Sequence, residues 1–164
     1  DPFIARGLDA LNYAIYQNAR FLVVSTPSGL TLGPEGGAHQ SINTPLIGMG
    51  QPGLTHWEPA FADELALLMR HSFVDLQEET GGCHYFRLST RLLSQPARPD
   101  NNWQSGALQG AYWLIPPSTG AELALVYCGA LAPEALAGFE ALKEVLGIIL
   151  GKPSQLVITR AESI

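Results

Sequence analysis

A short apolar run followed by a long loop constrains the fold of this chain more than any other feature. Residues 21–25 (FLVVS) are apolar or small and β-branched at the centre, which is typical of a strand buried on both faces of a sheet. The turn residues TPSG at positions 26–29 end this run, and no helical periodicity follows them. We therefore predict a buried strand that opens into a loop reaching about residue 55. Loops of this length in compact domains tend to be functional.

The predicted loop carries a carboxylate and an imidazole four residues apart, Glu35 and His39, among several glycines. Sites in α/β proteins are commonly built from loops that leave buried strands. His39 is the candidate catalytic residue, because histidine exchanges protons near neutral pH. Taken alone, a solvated loop histidine would explain the same residue, and Glu35 could equally be a solvent-facing acid.

The rest of the chain alternates between helical and strand patterns. Apolar residues at three- and four-residue spacing predict helices over residues 3–18, 59–77 and 133–146. Apolar or alternating runs predict further strands over residues 55–58, 83–88, 111–115, 121–127 and 155–159. Strands that alternate with helices predict an α/β fold with mostly parallel sheets and flanking helices.

A polar stretch over residues 91–107 contains two prolines and two consecutive asparagines, and we predict that it is a linker. It would divide the chain into residues 1–105 and residues 106–164.

Composition excludes several classes of function. Hydrophobic residues make up 46% of the chain and charged residues only 15%, which indicates a globular protein whose surface is partly covered by other protein. The net charge of −6 argues against nucleic acid, because no basic cluster is available to hold phosphates. No apolar run reaches the length of a membrane span, so we expect no membrane association.

The two cysteines, Cys83 and Cys128, lie in or beside apolar runs and are expected to be buried thiols in a reducing cytoplasm. Asp63 and Glu64 are expected on a solvated or subunit-facing side of the second predicted helix. Three further histidines show no metal-ligand spacing with the cysteines or with each other, so we expect no protein metal site: His56, His71 and His84.

The hexapeptide EGGAHQ at residues 35–40 resembles the E-G-x-x-H-Q/E loop of thiamine-diphosphate enzymes of the transketolase superfamily. Within this superfamily the loop resembles that of the homodimeric E1 component of pyruvate dehydrogenase. The EPAFADEL segment at residues 58–65 and the YFRL strand at residues 85–88 extend the resemblance through the later half of a pyrimidine-binding domain. The ALVYCGAL run at residues 124–131 and the VITRA segment at residues 157–161 resemble the first part of the C-terminal domain.

The resemblance implies a thiamine-diphosphate-dependent E1 component that decarboxylates pyruvate or a related 2-oxoacid and passes the acyl group to the lipoamide of an acyltransferase. It implies a homodimer that also binds Mg²⁺. The G-D-G motif for magnesium and diphosphate is absent here, as is the glutamate that activates the aminopyrimidine. We therefore expect a fragment of a longer enzyme, inactive alone. Residues 89–92 (STRL) depart from the N-E-N-Y-like segment usual in E1 components.

Two alternatives remain open. A transketolase would transfer two-carbon ketol units between sugar phosphates, but the binding of phosphates would require more basic residues than the predicted loop and its surroundings contain. A non-catalytic module could instead retain the fold without the cofactor domain. The presence of the two missing motifs upstream in the parent gene would separate the enzymes from the module.

The resemblance also implies roles for individual residues. His39 would contact the substrate beside the reactive carbon of the cofactor and handle protons, while Glu35 would orient His39 or meet the substrate. Phe3 would stack on the aminopyrimidine and Arg6 would line the same pocket, although a core aromatic and a surface charge would explain these two residues as well. The substrate loop would further include Gly36, Gly37 and Gln40, of which the two glycines could also be ordinary turn residues.

Overall fold

The computed structural model describes residues 1–41, 43–117, 119–121, 123–150, 155–156 and 158–159, with side chains up to residue 142. The helices are α1 (Leu8–Tyr16), α2 (Thr44–Gly50), α3 (Ala62–Asp75), α4 (Trp103–Leu108) and α5 (Ala132–Leu150). The strands are β1 (Leu22–Ser25), β2 (Leu54–Trp57), β3 (Cys83–Arg87), β4 (Ala111–Tyr112), β5 (Ala124–Leu125), β6 (Gln155–Leu156) and β7 (Ile158–Thr159). Short 3₁₀ helices lie at Ile4–Gly7, Gly29–Glu35 and Gly129–Leu131.

The centre of the structure is a three-stranded parallel sheet in the order β1-β3-β2. All five residues of β3 are buried, because this strand lies between its two partners and is covered on both faces. Parallel neighbours need crossover connections, and α3 provides the one between β2 and β3. Leu68 of α3 packs against Trp57 and Phe86 of the sheet. The predicted α/β fold with parallel strands and flanking helices is confirmed.

Two smaller pairs of strands follow in the chain. Strands β4 and β7 pair antiparallel, while β5 and β6 pair parallel. The predicted strands at 111–115 and 121–127 are therefore much shorter in the structure, at Ala111–Tyr112 and Ala124–Leu125. The proline and glycine residues between these runs limit their length.

The predicted loop over residues 26–55 has secondary structure of its own, and this part of the prediction was wrong. It contains the 3₁₀ helix Gly29–Glu35 and helix α2. Each element is seven residues long, which is too short to show a helical period, and each contains both glycine and proline.

The predicted linker at 91–107 contacts the rest of the protein, and part of it is helical. Its last residues begin helix α4, and Arg98 lies with its guanidinium 4.3 Å from the centre of the Trp103 ring. The same guanidinium donates to the Asp63 carboxylate at 2.6 Å. Burial lowers the pKa of Arg98, but the hydrogen bonds and charges of Asp63 and Tyr112 together outweigh this and the net pKa is raised.

Glu64 is 5% exposed, so the expectation that it lies on a solvated or subunit-facing side was wrong. Its carboxylate accepts the backbone N–H groups of Ala60 and Phe61 at 2.7 and 3.1 Å and a hydrogen bond from the Tyr112 hydroxyl. A glutamate in the first turn that reaches back to free N–H groups caps the helix, and this explains its burial.

A hydrophobic cluster crosses the predicted boundary near residue 105. Phe61 at the start of α3 packs with Tyr112, Tyr127 and Phe139 from the later part of the chain. The division into two domains stays a prediction, and the two predicted parts share one apolar contact surface.

Both cysteines are free thiols, and Cys83 is buried. Burial raises the pKa of Cys128 to about 11. Among the described helices, none combines the length and the apolar composition that crossing a membrane requires.

Helix α2 packs so closely on the sheet that glycine is required at one of its positions. A Cβ atom at Gly48 would lie 2.5 Å from Cγ of His56, whereas a Cβ atom at Gly50 would meet nothing within 4 Å. We predict that Gly48→Ala lowers the free energy of unfolding by about 1–3 kcal/mol through overpacking. The matched control Gly50→Ala should leave it unchanged or raise it by up to about 1 kcal/mol. Urea unfolding of both variants checks this, and equal effects would contradict the packing.

A buried hydrogen-bonded chain joins β2, β3 and the end of α3. The Trp57 indole N–H donates to Nδ1 of His84 at 2.8 Å, which leaves Nε2 of His84 to donate to Asp75 at 2.9 Å. The Gly82 N–H donates to the same Asp75 oxygen at 3.0 Å. Burial raises the pKa of Asp75, but the hydrogen bonds from Gly82 and His84 outweigh this and hold the pKa below its usual 3.8.

The lowered pKa makes Asp75 a source of stability that depends on pH. A carboxyl group whose pKa is lower in the folded state stabilises the fold above its unfolded pKa and loses that effect as the pH falls through the folded value. We predict that Asp75→Asn is less stable than the wild type at pH 7 and that this difference shrinks below about pH 4. Urea unfolding at both pH values, with the exposed Asp9→Asn as control, measures it. A difference that does not depend on pH would contradict the ionic role.

Candidate active site

The carboxyl ends of the three parallel strands meet at one edge of the sheet, where sites of open α/β sheets commonly form. Strand β1 ends at Ser25 and β3 ends at Arg87, while Glu58 directly follows β2. A fourth residue, Asp1, lies among these three through contacts described below. The edge therefore collects two carboxylates and one guanidinium in the interior of the protein.

The Asp1 side chain is buried and accepts five hydrogen bonds from uncharged groups. The donors are the hydroxyl groups of Ser25 (2.7 Å), Thr44 (2.9 Å), Tyr85 (3.3 Å) and Ser41 and the backbone N–H of Gly29 (2.9 Å). A buried carboxylate needs such partners, because isolation from water would otherwise cost several kcal/mol.

Arg87 supplies the positive charge of this edge. Its Nε donates to Asp1 at 3.2 Å and its Nη1 donates to Glu58 at 2.6 Å, and the side chain is only 6% exposed. Burial raises the pKa of Glu58, although the charge of Arg87 lowers it. One guanidinium thus serves two carboxylates, and Glu58 is the carboxylate that gains a proton more readily than usual.

Residues 29–41 form a closed loop, which we call the His39 loop. Its two ends touch, since a Cβ atom at Gly29 would lie 2.2 Å from the backbone nitrogen of Ser41. Both ends also donate to the same oxygen of Asp1. The His39 loop is therefore held at its base by the residue that lies two positions before Phe3.

Three of the residues predicted for the site lie together. The rings of Phe3 and His39 pack edge to face with 6.0 Å between their centres, and the guanidinium of Arg6 lies 5.5 Å from the centre of the Phe3 ring. Phe3 is 57% exposed, so it is not a residue of the core. An aromatic face, a cation and an imidazole thus share one accessible surface.

One nitrogen of His39 lacks a partner. Its Nδ1 is buried and forms no hydrogen bond with any residue of the described ranges. A buried polar atom without a partner costs roughly 1–3 kcal/mol. Such an atom is a natural point of contact for a bound molecule.

None of the other predicted loop residues forms a described hydrogen bond with the His39 ring. Glu35 is exposed, and its side chain forms no hydrogen bond or ion pair with the part of the chain that the structure describes, so the structure contains no contact by which it would orient His39. Gly36 has a φ of +91°, a conformation that favours glycine, and its carbonyl accepts the N–H of His39 at 3.1 Å. Gly37 has open space around it, and the Gln40 amide donates to the Gly33 carbonyl at 3.4 Å.

The residues present fit the aminopyrimidine of thiamine diphosphate better than its metal ion. The exposed Phe3 ring offers a stacking surface for an aminopyrimidine, and the free Nδ1 of His39 offers a hydrogen-bonding group beside it. Within the described ranges, no group of three or more histidine, cysteine, aspartate or glutamate side chains is arranged to hold a metal ion.

Sequence reasoning missed the charged residues beneath the His39 loop: Asp1, Glu58 and Arg87. One signal was available, since Arg87 lies between two apolar residues of the predicted strand at 83–88. A charged residue is rarely buried in a strand unless it is paired, so burial of Arg87 would indicate an acidic partner. Nothing in the sequence identified Asp1 as that partner.

The described fold is similar to solved transketolase structures. The transketolase of Pichia stipitis in complex with sedoheptulose-7-phosphate matches with a TM-score of 0.77 and 18% identity, over 98% of this chain and 22% of that chain. The transketolase of Leishmania mexicana matches with a TM-score of 0.75 and 18% identity, over 97% and 22% of the two chains. A split gene transketolase, an inactive β4 tetramer, matches with a TM-score of 0.71 and 19% identity, over 98% and 47%.

These likenesses show that the chain has a transketolase-like fold. The chain spans less than a quarter of the Pichia and Leishmania transketolases and about half of the split gene chain. No protein-family model and no curated protein sequence matches it.

Proposed function

We propose that this chain is part of a thiamine-diphosphate-dependent 2-oxoacid dehydrogenase E1 component that acts on pyruvate or a close relative. The observation that carries the proposal is the grouping of Phe3, Arg6 and His39 on one accessible surface. The resemblance that begins with EGGAHQ at residues 35–40 implies these same three residues in one site. The transketolase-like fold supports the same family of reactions.

Each of the three residues has a definite task in this proposal. When bound, thiamine diphosphate supplies the electron sink that decarboxylation of a 2-oxoacid requires. Phe3 stacks on the aminopyrimidine and fixes its plane. His39 hydrogen-bonds the substrate and holds or moves a proton there, since imidazole exchanges protons near neutral pH. Arg6 lines the pocket with a positive charge that favours an anionic acid.

The remaining parts of the enzyme would come from outside this chain. The diphosphate and Mg²⁺ would be held by the rest of a longer protein or by a partner chain. One similar protein is a split gene transketolase whose β4 tetramer is inactive, and we propose that the chain described here is likewise inactive on its own. We further propose a homodimer, a lipoyl-bearing acyltransferase as partner, and a cytoplasmic location, which the two free thiols support.

The second candidate function is that of a transketolase, because the structures named above are transketolases and one holds a sugar phosphate. We place it second because a sugar phosphate needs additional positive charge. Arg87 is already shared by two carboxylates, and Arg91 is paired with Glu134 at 2.6 Å. Arg6 then remains as the described arginine next to Phe3 and His39. A non-catalytic module is the third candidate.

One experiment separates these candidates. The protein is purified at its native length, with any subunit that co-purifies, and supplied with thiamine diphosphate and Mg²⁺. We expect release of carbon dioxide from pyruvate or another 2-oxoacid with ferricyanide as electron acceptor. Two-carbon transfer between sugar phosphates without decarboxylation would favour the transketolase function. Absence of both activities in a preparation that binds the cofactor would contradict both enzyme proposals.

A further inference from the structure

We propose that Asp1 is a positioning residue that fixes the His39 loop relative to Phe3, with Arg87 and Glu58 holding its charge in place. This inference rests on the proposed function, since it concerns the geometry of the same site. Asp1 itself is buried beneath the loop and touches neither Phe3 nor His39 through any described hydrogen bond.

The His39 loop is closed at its base by hydrogen bonds to Asp1. Gly29 and Ser41 lie at its two ends, and both donate to Oδ2 of Asp1. Thr44, at the start of α2, donates its hydroxyl to the same oxygen at 2.9 Å, and its hydroxyl oxygen lies 3.2 Å from that of Ser41. A single carboxylate oxygen therefore joins the segment before the loop, both ends of the loop and the helix after it.

The residues that carry these hydrogen bonds are close in sequence to the rings of the site. Asp1 precedes Phe3 by two residues, and Ser41 follows His39 by two residues. The hydrogen bonds around Asp1 thus fix both backbone segments close to the two rings. The rings themselves share only an edge-to-face contact at 6.0 Å, which is too weak to fix their geometry alone.

Asp1 is itself held in place by buried charged residues. Arg87 contacts Asp1 through Nε and Glu58 through Nη1, and its Nη2 donates to the Ser41 carbonyl at 3.4 Å. Glu58 is confined in turn by Gly129, where a Cβ atom would lie 2.7 Å from the carboxylate oxygen. The buried charges therefore connect the loop to the segment that precedes α5.

A conservative pair of substitutions at Thr44 tests the role without removing a buried charge. Thr44→Val keeps the shape of the side chain and removes the hydroxyl that donates to Asp1, whereas Thr44→Ser keeps a hydroxyl. The matched control is Ser72→Ala on α3, because Ser72 is fully buried and its hydroxyl has no partner among the described residues. All variants are made in the protein at its native length.

Hydrogen exchange of the peptide covering residues 29–41 gives the first readout, and it needs neither cofactor nor activity. We expect faster exchange of this peptide in Thr44→Val, with wild-type rates in Thr44→Ser and Ser72→Ala. Steady-state kinetics give the second readout. We expect the kcat of Thr44→Val for the 2-oxoacid to fall roughly ten- to a hundred-fold with little change in KM, because a displaced catalytic group weakens transition-state stabilisation and not substrate binding.

The outcomes separate the inference from the function on which it rests. Unchanged hydrogen exchange of residues 29–41 in Thr44→Val would overturn the claim that Asp1 holds the His39 loop, whatever the activity of the variant. Faster exchange with an unchanged kcat would overturn the positioning role and leave the proposed function intact. A fall of kcat in Ser72→Ala equal to that in Thr44→Val would show a general effect of buried substitutions, and it would also overturn the positioning role. A wild-type protein without thiamine-diphosphate-dependent turnover would contradict the proposed function, and the positioning role would fall with it.

Discussion

Replacing His39 by alanine is expected to lower the turnover number roughly 10²- to 10⁴-fold, the usual contribution of a positioned acid–base group. Affinity for thiamine diphosphate should change little, because the proposed stacking surface is Phe3, and the His39 ring packs edge to face with Phe3 rather than stacking on it. Measurement of kcat by 2-oxoacid-dependent reduction of ferricyanide, together with a cofactor titration, checks both parts. An unchanged turnover number would exclude the catalytic role of His39.

Two further variants control this result. His71→Ala makes the same change at an exposed histidine on α3, outside the His39 loop, and should leave turnover near the wild-type value. Glu35→Gln should have a smaller effect than His39→Ala, because Glu35 does not contact the His39 ring among the described contacts. A loss of activity in His71→Ala equal to that in His39→Ala would show that the assay reports folding rather than chemistry.

Replacing Arg87 by methionine is expected to lower the free energy of unfolding by about 3–5 kcal/mol, since it leaves buried carboxylates without their cation. The side chain of Asp1 is 0% exposed and that of Glu58 is 11% exposed, so water cannot replace the guanidinium. Methionine has a similar length and keeps much of the apolar packing. Urea unfolding at pH 7 measures the change.

The matched control is Arg70→Met, the same substitution at an exposed arginine on α3, which should change the free energy of unfolding by no more than about 0.5 kcal/mol. Arg87→Lys keeps the charge but loses the two-sided contact with Asp1 and Glu58, so it should be intermediate. If Arg87→Met were as stable as Arg70→Met, Arg87 would not be the cation that holds the buried carboxylates.

The sheet and its larger helices could be predicted from the sequence because their signals are local. The run at 83–88 forms β3, and the periodic segment at 59–77 forms α3 with slightly different ends. The apolar run at 21–25 forms β1, but the prediction that this strand is buried on both faces was wrong, because β1 lies at the edge of the sheet and Val24 is 48% exposed. Burial of one face of a helix or strand places apolar residues at a regular spacing, and this spacing can be seen in a single sequence. Seven-residue helices such as α2 contain too few residues to show that period.

The candidate site could be predicted only in part, because only some of its residues belong to a local sequence pattern. His39 and Phe3 were found through a motif and its distance from β1, and the structure brings them together. Asp1 and Arg87 meet across more than eighty positions of sequence, and no local pattern records which buried charges will pair. The absence of contact between Glu35 and His39 likewise depends on how Gly36 turns the loop, which the sequence permits but does not require.

The central claim is that Phe3 and His39 form one side of a thiamine-diphosphate site. A crystal structure of the protein at its native length, grown with thiamine diphosphate and Mg²⁺, tests it most directly. The account predicts the aminopyrimidine stacked on Phe3 and the imidazole of His39 facing the reactive carbon of the cofactor. Cofactor bound elsewhere, with Phe3 and His39 in contact only with solvent or protein, would contradict it.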